Sequence, residues 1–315
     1  MSAHGGARGV ALPFIIFTLI WGSTWIVIRD QIGADSAIVV PAQWSVAYRF
    51  LLASAAMFAV AIWNGDRIAP GSGMLAAAGL IGVSQFTLNF NAVYMAEHFI
   101  TSGLVATVFA LLMLPNALLA WLMLGHRPTA RFLVSSAIAA AGIGLLFTHE
   151  LRSNPALDGR ALAIGIGWTI VGLLGASVSN VYQARPAVRK LPLFAMLAWS
   201  MLIGAVLDVV IAFVLTGPPV IETRTGYWLG LAYLALAASV LCFSLYYPVV
   251  RKIGPGKAAY SSAIVPIIAM GLSTAFEGFR WTPLAAAGAA LAIGGMVLAL
   301  WTRERPMEIA NPDAA

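Results

Sequence analysis

The sequence is poor in charge, cysteine and histidine. Only 10% of its 315 residues are Asp, Glu, Lys or Arg, whereas a soluble globular domain carries about 25%. Its one cysteine, Cys242, excludes an intramolecular disulfide, and its four histidines form no cluster with the spacing of a metal site. We therefore expect no metal and no cofactor. The scarcity of acids, bases and ligands also argues against a membrane enzyme.

What the sequence has in abundance is apolar length. Hydrophobic residues make up 61% of the chain, and the mean hydropathy is +0.89. Apolar runs of about 20 residues are typical of membrane-spanning helices. We predict an all-α integral membrane protein with ten spans. They lie at about residues 10–28, 43–63, 73–95, 101–124, 131–149, 161–182, 192–215, 227–249, 257–278 and 283–301.

The basic residues predict how these spans are oriented. If the N-terminus is cytoplasmic, twelve of the eighteen Lys and Arg residues fall in inner segments and six fall on the outer side. Basic residues accumulate on the cytoplasmic side of membrane proteins, so both termini are expected there. The net charge of +6 is then explained by the basic residues of the cytoplasmic segments, so we expect no nucleic-acid partner.

The two halves of the chain resemble each other. A shift of 151 residues places Pro115 on Pro266 and Gly144 on Gly295. Five spans per half is an odd number, so the second unit should lie upside down relative to the first, as in many secondary transporters. We predict one repeat at 1–150, an inverted repeat at 151–303 and a polar tail at 304–315. The two prolines each remove a helix hydrogen bond and are predicted as hinges, with a merely structural kink as the alternative.

Five short motifs carry a family resemblance. They are "WGSTWIVIR" in span 1, "YRFLLAS" opening span 2, "LGHRPT" leaving span 4, "AAAGIGLLF" in span 5 and "GGMVLAL" in span 10. In this order, over nearly the whole chain, they resemble the EamA-type members of the drug/metabolite transporter superfamily. The family commonly has Gly-Glu where this chain has Gly125 and His126, whereas the second half keeps an acid, Glu277.

Within that superfamily, the chain looks most like the YddG-type exporters. The resemblance implies a multi-pass protein of the bacterial inner (plasma) membrane that exports amino acids, including aromatic and other neutral ones, by alternating access. Three alternatives remain: export of other small metabolites or drugs, a channel-like pore, and a membrane enzyme. An anion transporter should show several buried Arg or Lys residues, and only Arg49 qualifies.

Polar residues recur along span 3 at helical spacing. At 100° per residue, four of them fall on one stripe, and Gln85 and Asn89 lie on roughly the opposite side. We expect the stripe to line a wet cavity, with helix packing as the alternative. The stripe residues are Ser84, Thr87, Asn91 and Tyr94.

Other spans add candidates for the same central cavity, which we expect spans 1, 3, 4, 6, 8 and 9 to line. Hydroxyls and amides suit the ammonium and carboxylate groups of an amino acid, and aromatic rings suit an apolar side chain. On span 1, Gly22 and Ser23 are instead expected to pack closely against a neighbouring helix. The expected partners are an amino-acid-like small molecule and the lipid bilayer, with the chain a monomer or homodimer. The remaining candidates are Trp21, Thr24, Trp168, Ser179, Asn180, Ser239, Tyr246 and Ser262.

Two charged residues lie well inside spans, where charge is costly and commonly functional. Asp208 is predicted to couple protons or to bind the substrate ammonium, with a structurally paired acid as the alternative. Arg49 lies about 9 Å below the end of span 2 at 1.5 Å per residue, and we expect its side chain to reach back to the interface. The Ala/Gly-rich spans 5 and 10 permit close helix contact, either within one chain or between two.

Overall fold

The computed structural model describes residues 4–33, 39–125, 127–153, 158–249 and 261–301, and helices are the regular elements found there. Ten of them are numbered here in chain order, and a single turn, Pro186–Arg189, precedes α7. The helices are α1 (His4–Ile32), α2 (Ala42–Trp63), α3 (Ser72–Glu97), α4 (Ser102–Met123), α5 (Ala130–Ser153), α6 (Gly159–Gln183), α7 (Leu193–Thr216), α8 (Thr225–Val249), α9 (Ser261–Phe276) and α10 (Pro283–Trp301).

Eight of these helices, α1 to α8, are long and apolar enough to cross a membrane. In α9 and α10 the apolar stretches Ile264–Phe276 and Pro283–Ala299 are shorter. The sequence therefore predicted the helix positions well. That all ten cross, and that both termini are cytoplasmic, stay predictions; the polar tail 304–315 lies outside the described residues.

The bundle exposes large apolar side chains on its outside and buries polar side chains among the apolar ones of its interior. Leu122 and Val214 are 75% and 74% exposed, whereas Ser200, Asp208 and Ser239 are completely buried. Water-soluble proteins show the opposite distribution, because exposed apolar surface in water costs free energy. The arrangement fits a bundle surrounded by lipid.

Two helices contain a stretch of π-helix at related positions. The stretch in α3 is Gly82–Asn89, and the stretch in α8 is Tyr233–Leu241. The shift of 151 residues that aligns the two halves places Gly82 on Tyr233. Because π-helix is rare and commonly marks functional sites, its recurrence at this interval is independent support for an internal repeat.

The helix contacts also reflect the internal repeat: a contact between two helices often recurs between the corresponding helices of the other half. Helix α2 packs along α7, and α5 along α10, which are pairs of corresponding helices. Other contacts come in exchanged pairs, among them α1 with α9 and α6 with α4, α3 with α7 and α8 with α2, and α3 with α6 and α8 with α1. This is the pattern expected of two halves related by a pseudo-twofold axis.

Helices α5 and α10 pack within the chain through glycines. A Cβ atom added to Gly142 would lie 2.3 Å from the backbone nitrogen of Ala292, and one added to Gly295 would lie 2.4 Å from that of Ala139. Any side chain at either glycine would therefore push the helices apart. Of the two interpretations of these Ala/Gly-rich spans, the intramolecular contact is the one observed.

The two matched prolines are both buried inside helices. Pro115 follows a single 3-10 turn, Ala110–Leu112, which interrupts α4. The missing N–H of Pro115 and the clash of its ring with the carbonyl four residues earlier explain why the helix is irregular there. Pro266 lies in α9. Their role as hinges stays a prediction.

Candidate functional site

A cavity of about 170 Å³ lies in the middle of the bundle. The sequence predicted a lining by spans 1, 3, 4, 6, 8 and 9, and all six helices contribute; α2 adds Arg49. We call it the central cavity. Its lining is Trp21, Thr24, Trp25, Ile28, Arg49, Gln85, Asn89, Phe90, Val93, Ala106, Phe109, Ala110, Leu112, Ala176, Asn180, Phe243, Tyr246, Ser261 and Val265.

Helix α1 presents one face to this cavity. Trp21, Trp25 and Ile28 recur at helical spacing and so lie together. The indole nitrogen of Trp21 donates to the carbonyl of Ala238 on α8 at 3.1 Å. Its ring centroid lies 5.0 Å from that of Tyr246. Trp21 is therefore held in one orientation by α8.

The other face of α1 packs against neighbours, as predicted. A Cβ atom on Gly22 would lie 2.7 Å from side-chain atoms of Ile268 on α9. The hydroxyl of Ser23 lies 2.6 Å from the hydroxyl of Tyr233 on α8. The prediction that Gly22 and Ser23 serve close packing is confirmed.

Arg49 does not reach back to a surface, and that expectation is wrong. Its side chain is only 2% exposed. Nε and Nη2 donate to the hydroxyl of Ser239 at 3.3 and 3.2 Å, and the guanidinium carbon lies 4.4 Å from the ring centre of Phe90. The hydrogen bonds and the aromatic face hold the cation inside the bundle.

Sequence reasoning assigned the wrong face of α3 to the cavity. Gln85 and Asn89 line it, whereas the predicted stripe packs against neighbouring helices. Regular helical spacing already places Gln85 and Asn89 opposite the stripe, and the sequence did not show which of the two faces meets the cavity. Ser84 donates to the carbonyl of Leu80 at 2.7 Å, Thr87 to that of Gly204 at 3.2 Å, Asn91 to Asp208 at 2.8 Å and Tyr94 to Gln31 at 2.8 Å.

Asp208 lies between α7 and α3 and away from the central cavity. It is completely buried. Asn91 donates to its Oδ1, and Oδ2 has no hydrogen-bond partner among the described residues. This is the packing expected of a structurally paired acid, the alternative interpretation of its sequence position.

The remaining candidates separate into three groups. Asn180 and Tyr246 line the cavity with Trp21 and Thr24, and their contact with substrate stays a prediction. Ser239 lies behind the cavity wall and holds Arg49. The other three do not support the predicted placement or cannot be assessed. Trp168 is 37% exposed on the outside of α6, Ser179 is buried and accepts from Gln183 at 3.0 Å, and the side chain of Ser262 lies outside the described part of the chain.

Several lining residues were missed. Trp25, Phe90, Phe109 and Phe243 are aromatic residues in apolar spans, and a single sequence gives no signal that separates a cavity wall from a packed core. Ser261, the neighbour of the predicted Ser262, also lines the cavity and was missed. The pattern of Trp21, Trp25 and Ile28 was visible as a helical face, and extending the Trp21 prediction along that face would have found Trp25.

A second, larger cavity of about 960 Å³ lies where α1 ends. Charged residues line it, among them Arg29, Glu150 and Glu277. Arg29 donates to the backbone carbonyl of Glu97, and its Nε lies 3.8 Å from a carboxylate oxygen of Glu277. The carboxylate of Glu277 also accepts from the hydroxyl of Ser102 on α4 at 2.7 Å. These contacts join α1, α3, α4 and α9 at one end of the bundle. His126, the family departure, lies outside the described residues.

Comparison with known proteins finds relatives that are similar in sequence and a solved structure that is similar in fold. The chain is 28% identical over 264 residues to the uncharacterized inner membrane transporter YedA of Escherichia coli, covering 82% of this chain and 80% of that protein. It is 25% identical to a probable terminal-alkyne amino-acid exporter of Streptantibioticus cattleyicolor, covering 71% and 72%. A crystal structure at 20% identity superposes with a TM-score of 0.67 over 94% of this chain and 98% of the other, which shows a shared fold.

The sequence profile of the EamA-like transporter family matches the chain twice, at residues 9–148 and 163–301. The two matches fall on the two halves that align under the 151-residue shift. Together with the apolar helices, the relatives place the chain in the inner membrane as a multi-pass protein, and the names of family and relatives indicate a transporter rather than an enzyme. This chain belongs to the EamA-like transporter family.

Proposed function

We propose that this chain exports amino acids across the bacterial inner membrane by alternating access. The observation that carries the proposal is the mixed character of the central cavity. The side-chain amides of Gln85, Asn89 and Asn180 share it with the aromatic rings of Trp21 and Phe109. An amino acid with an apolar side chain needs both, because its charged end must be hydrogen-bonded and its side chain must leave water.

The halves support the transport mechanism. Five helices per half, the repeated π-helix and the exchanged packing pairs all fit inverted repeats, whose exchange of conformations opens a cavity to each side in turn. The cavity lies between them: Trp21 and Asn89 come from the first half, and Asn180 and Tyr246 from the second. Rocking one half against the other would change access to this cavity without rebuilding it.

The proposed orientation places the N-terminus in the cytoplasm, so the large charged cavity becomes the outer vestibule. The contacts of Arg29 and Glu277 then close the outer end of the bundle. Export requires these contacts to break as the cavity opens outward. The two matched prolines, Pro115 and Pro266, are the proposed hinges.

The relative named as an amino-acid exporter supports the substrate class, while other metabolites and drugs of the superfamily are the alternative. A proteoliposome uptake panel of amino acids, sugars and cationic drugs tests it. We expect saturable uptake of neutral amino acids, including aromatic ones. Uptake restricted to sugars or drugs would contradict the amino-acid assignment and leave the transporter class intact.

Asp208 is the proposed site of proton coupling, if transport responds to a proton gradient. The same panel, run with and without a gradient, measures that response. Asp208→Asn keeps the shape of the side chain and removes its charge, so we expect transport that no longer depends on the gradient. An unchanged gradient response in this variant would leave Asp208 with only its packing role.

A further inference from the structure

Three polar atoms of the central cavity's lining residues have no hydrogen-bond partner among the described residues. They are Nε1 of Trp25, Nη1 of Arg49 and Oδ1 of Asn89. Their residues are 9%, 2% and 3% exposed. Leaving a buried donor or acceptor unpaired costs about 1–3 kcal/mol each. Such a cost is expected where a ligand completes the hydrogen bonds.

The charge of Arg49 is also unbalanced. Among the described residues that line the cavity, none is Asp or Glu. In the described part of the chain the two ion pairs are Arg29 with Glu277 and Arg224 with Asp30. Among the described residues, the neighbours of Arg49 are neutral: the hydroxyls of Ser239 and Tyr94 and the rings of Phe50 and Phe90. An unneutralised cation in a low-dielectric interior is costly.

The free groups differ in what they can bind. The guanidinium of Arg49 uses Nε and Nη2 toward Ser239, and its buried Nη1 has no hydrogen-bond partner among the described residues. A carboxylate suits that side, because it accepts charge-assisted hydrogen bonds from a guanidinium. The indole N–H of Trp25 is a second donor. The amide of Asn89 supplies an acceptor, which suits an ammonium group.

We propose that the central cavity is a receptor for a ligand carboxylate, with Arg49 as its counter-ion and Trp25 as a second donor. Asn89 receives the ammonium group when the ligand has one. This inference rests on the proposed transport through the cavity and adds the chemical group that is recognised. A single positive charge matches a monocarboxylate. The cavity volume of about 170 Å³ equals roughly six water molecules at about 30 Å³ each, which suits a small molecule.

Ligand binding to the purified full chain tests this inference. The probes are leucine and phenylalanine, together with leucinamide and phenylalaninamide, in which a neutral amide replaces the carboxylate. A further probe, 3-phenylpropionate, keeps the carboxylate and lacks the ammonium. The readout is the ligand-dependent rise in melting temperature in detergent. We expect leucine and phenylalanine to bind about 10- to 100-fold more tightly than their amides, since hydrogen bonds to charged groups contribute about 1.5–3 kcal/mol. Arg49→Met should remove that preference.

Arg131→Met is the matched control, since Arg131 is an exposed arginine at the start of α5; it should keep the wild-type preference. The comparison of acids with amides uses the wild-type protein alone, so it stands even if Arg49→Met fails to fold. Equal binding of acids and amides would overturn the inference, as would an Arg49→Met protein that binds acids normally. Failure of every probe to bind would also overturn it.

The outcomes separate this inference from the proposed function. Binding of 3-phenylpropionate without binding of the amino acids would support the carboxylate receptor and contradict amino-acid export. Transport of amino acids and amides at equal rates would support export and overturn the role of Arg49.

Discussion

Asn91 on α3 donates its side-chain N–H to Oδ1 of Asp208 on α7 at 2.8 Å, and neither residue lines the central cavity. The contact joins a helix of the first half to one of the second. It also shows that the two polar faces of α3 differ in role: one packs against α7 and the other lines the cavity. Asn91 holds the bundle together, whereas Asn89, two residues earlier, faces the cavity.

Removing this hydrogen bond should destabilise the protein. Asn91→Leu leaves a completely buried carboxylate without its partner, which costs about 1–3 kcal/mol or more. Thermal unfolding of the purified protein measures the loss. Because the residues are in contact, the double variant Asn91→Leu/Asp208→Leu should lose less than the sum of the single changes. Additive losses would show that the two side chains do not interact.

Asn89→Leu should impair transport and leave the stability of the protein nearly unchanged. It removes an amide from the cavity wall, so we expect slower amino-acid transport with a melting temperature close to wild type. Transport by Asn89→Leu and Asn91→Leu, each divided by the amount of folded protein in the membrane, makes the comparison. Normal transport by Asn89→Leu together with loss in Asn91→Leu would restore the stripe as the path-lining face.

Trp21 should contribute to the apparent affinity for substrate. Trp21→Ala removes an aromatic wall and the hydrogen bond to Ala238, and we expect KM for aromatic amino acids to rise by about 2- to 10-fold, since aromatic contacts contribute about 0.5–1.5 kcal/mol beyond burial. Concentration dependence of uptake measures it. Trp63, 89% exposed at the end of α2, supplies the control, Trp63→Ala. An equal effect of both changes would exclude a specific role for Trp21.

The glycine contact between α5 and α10 predicts that alanine substitutions at Gly142 and Gly144, two residues apart, differ strongly in their effect on stability. Gly142→Ala places a Cβ atom 2.3 Å from a backbone nitrogen and should destabilise the fold by about 1–3 kcal/mol. Gly144→Ala meets nothing within 4 Å and should be neutral or slightly stabilising, because Ala favours helix. Melting temperatures of the two variants give the test, and equal values would mean that α5 and α10 are not this close.

Breaking the contacts at the end of α1 should favour the outward-open state. Glu277→Ala removes the acceptor of Ser102 and the partner of Arg29. The reporter is a single cysteine in the cavity wall, made by Ala106→Cys in a protein whose own cysteine is replaced by Cys242→Ser. An impermeant thiol reagent added from outside should label this cysteine faster in Glu277→Ala than in the protein with Glu277. The exposed Arg280, which lines the same vestibule, gives the control Arg280→Ala. Unchanged labelling in Glu277→Ala would mean that these contacts do not close the path.

Much of the fold follows from the sequence, because hydrophobic runs and the 151-residue repeat are long-range patterns that survive local irregularity. The cavity wall does not follow as readily. Helical spacing separated the two polar faces of α3, but only the packing of the neighbouring helices shows that Gln85 and Asn89 form the face that lines the cavity. Arg49 was expected at the surface because a long basic side chain commonly reaches water, and only packing against Phe90 and Ser239 shows that it stays inside.

Counterflow in proteoliposomes tests the central claim most directly. Vesicles loaded with unlabelled phenylalanine are diluted into labelled phenylalanine, with protein-free vesicles as control. We expect a transient accumulation of label above equilibrium that saturates with concentration, because a carrier exchanges substrate through one alternating site. Label that only equilibrates, at a rate proportional to concentration, would indicate a channel and contradict the claim.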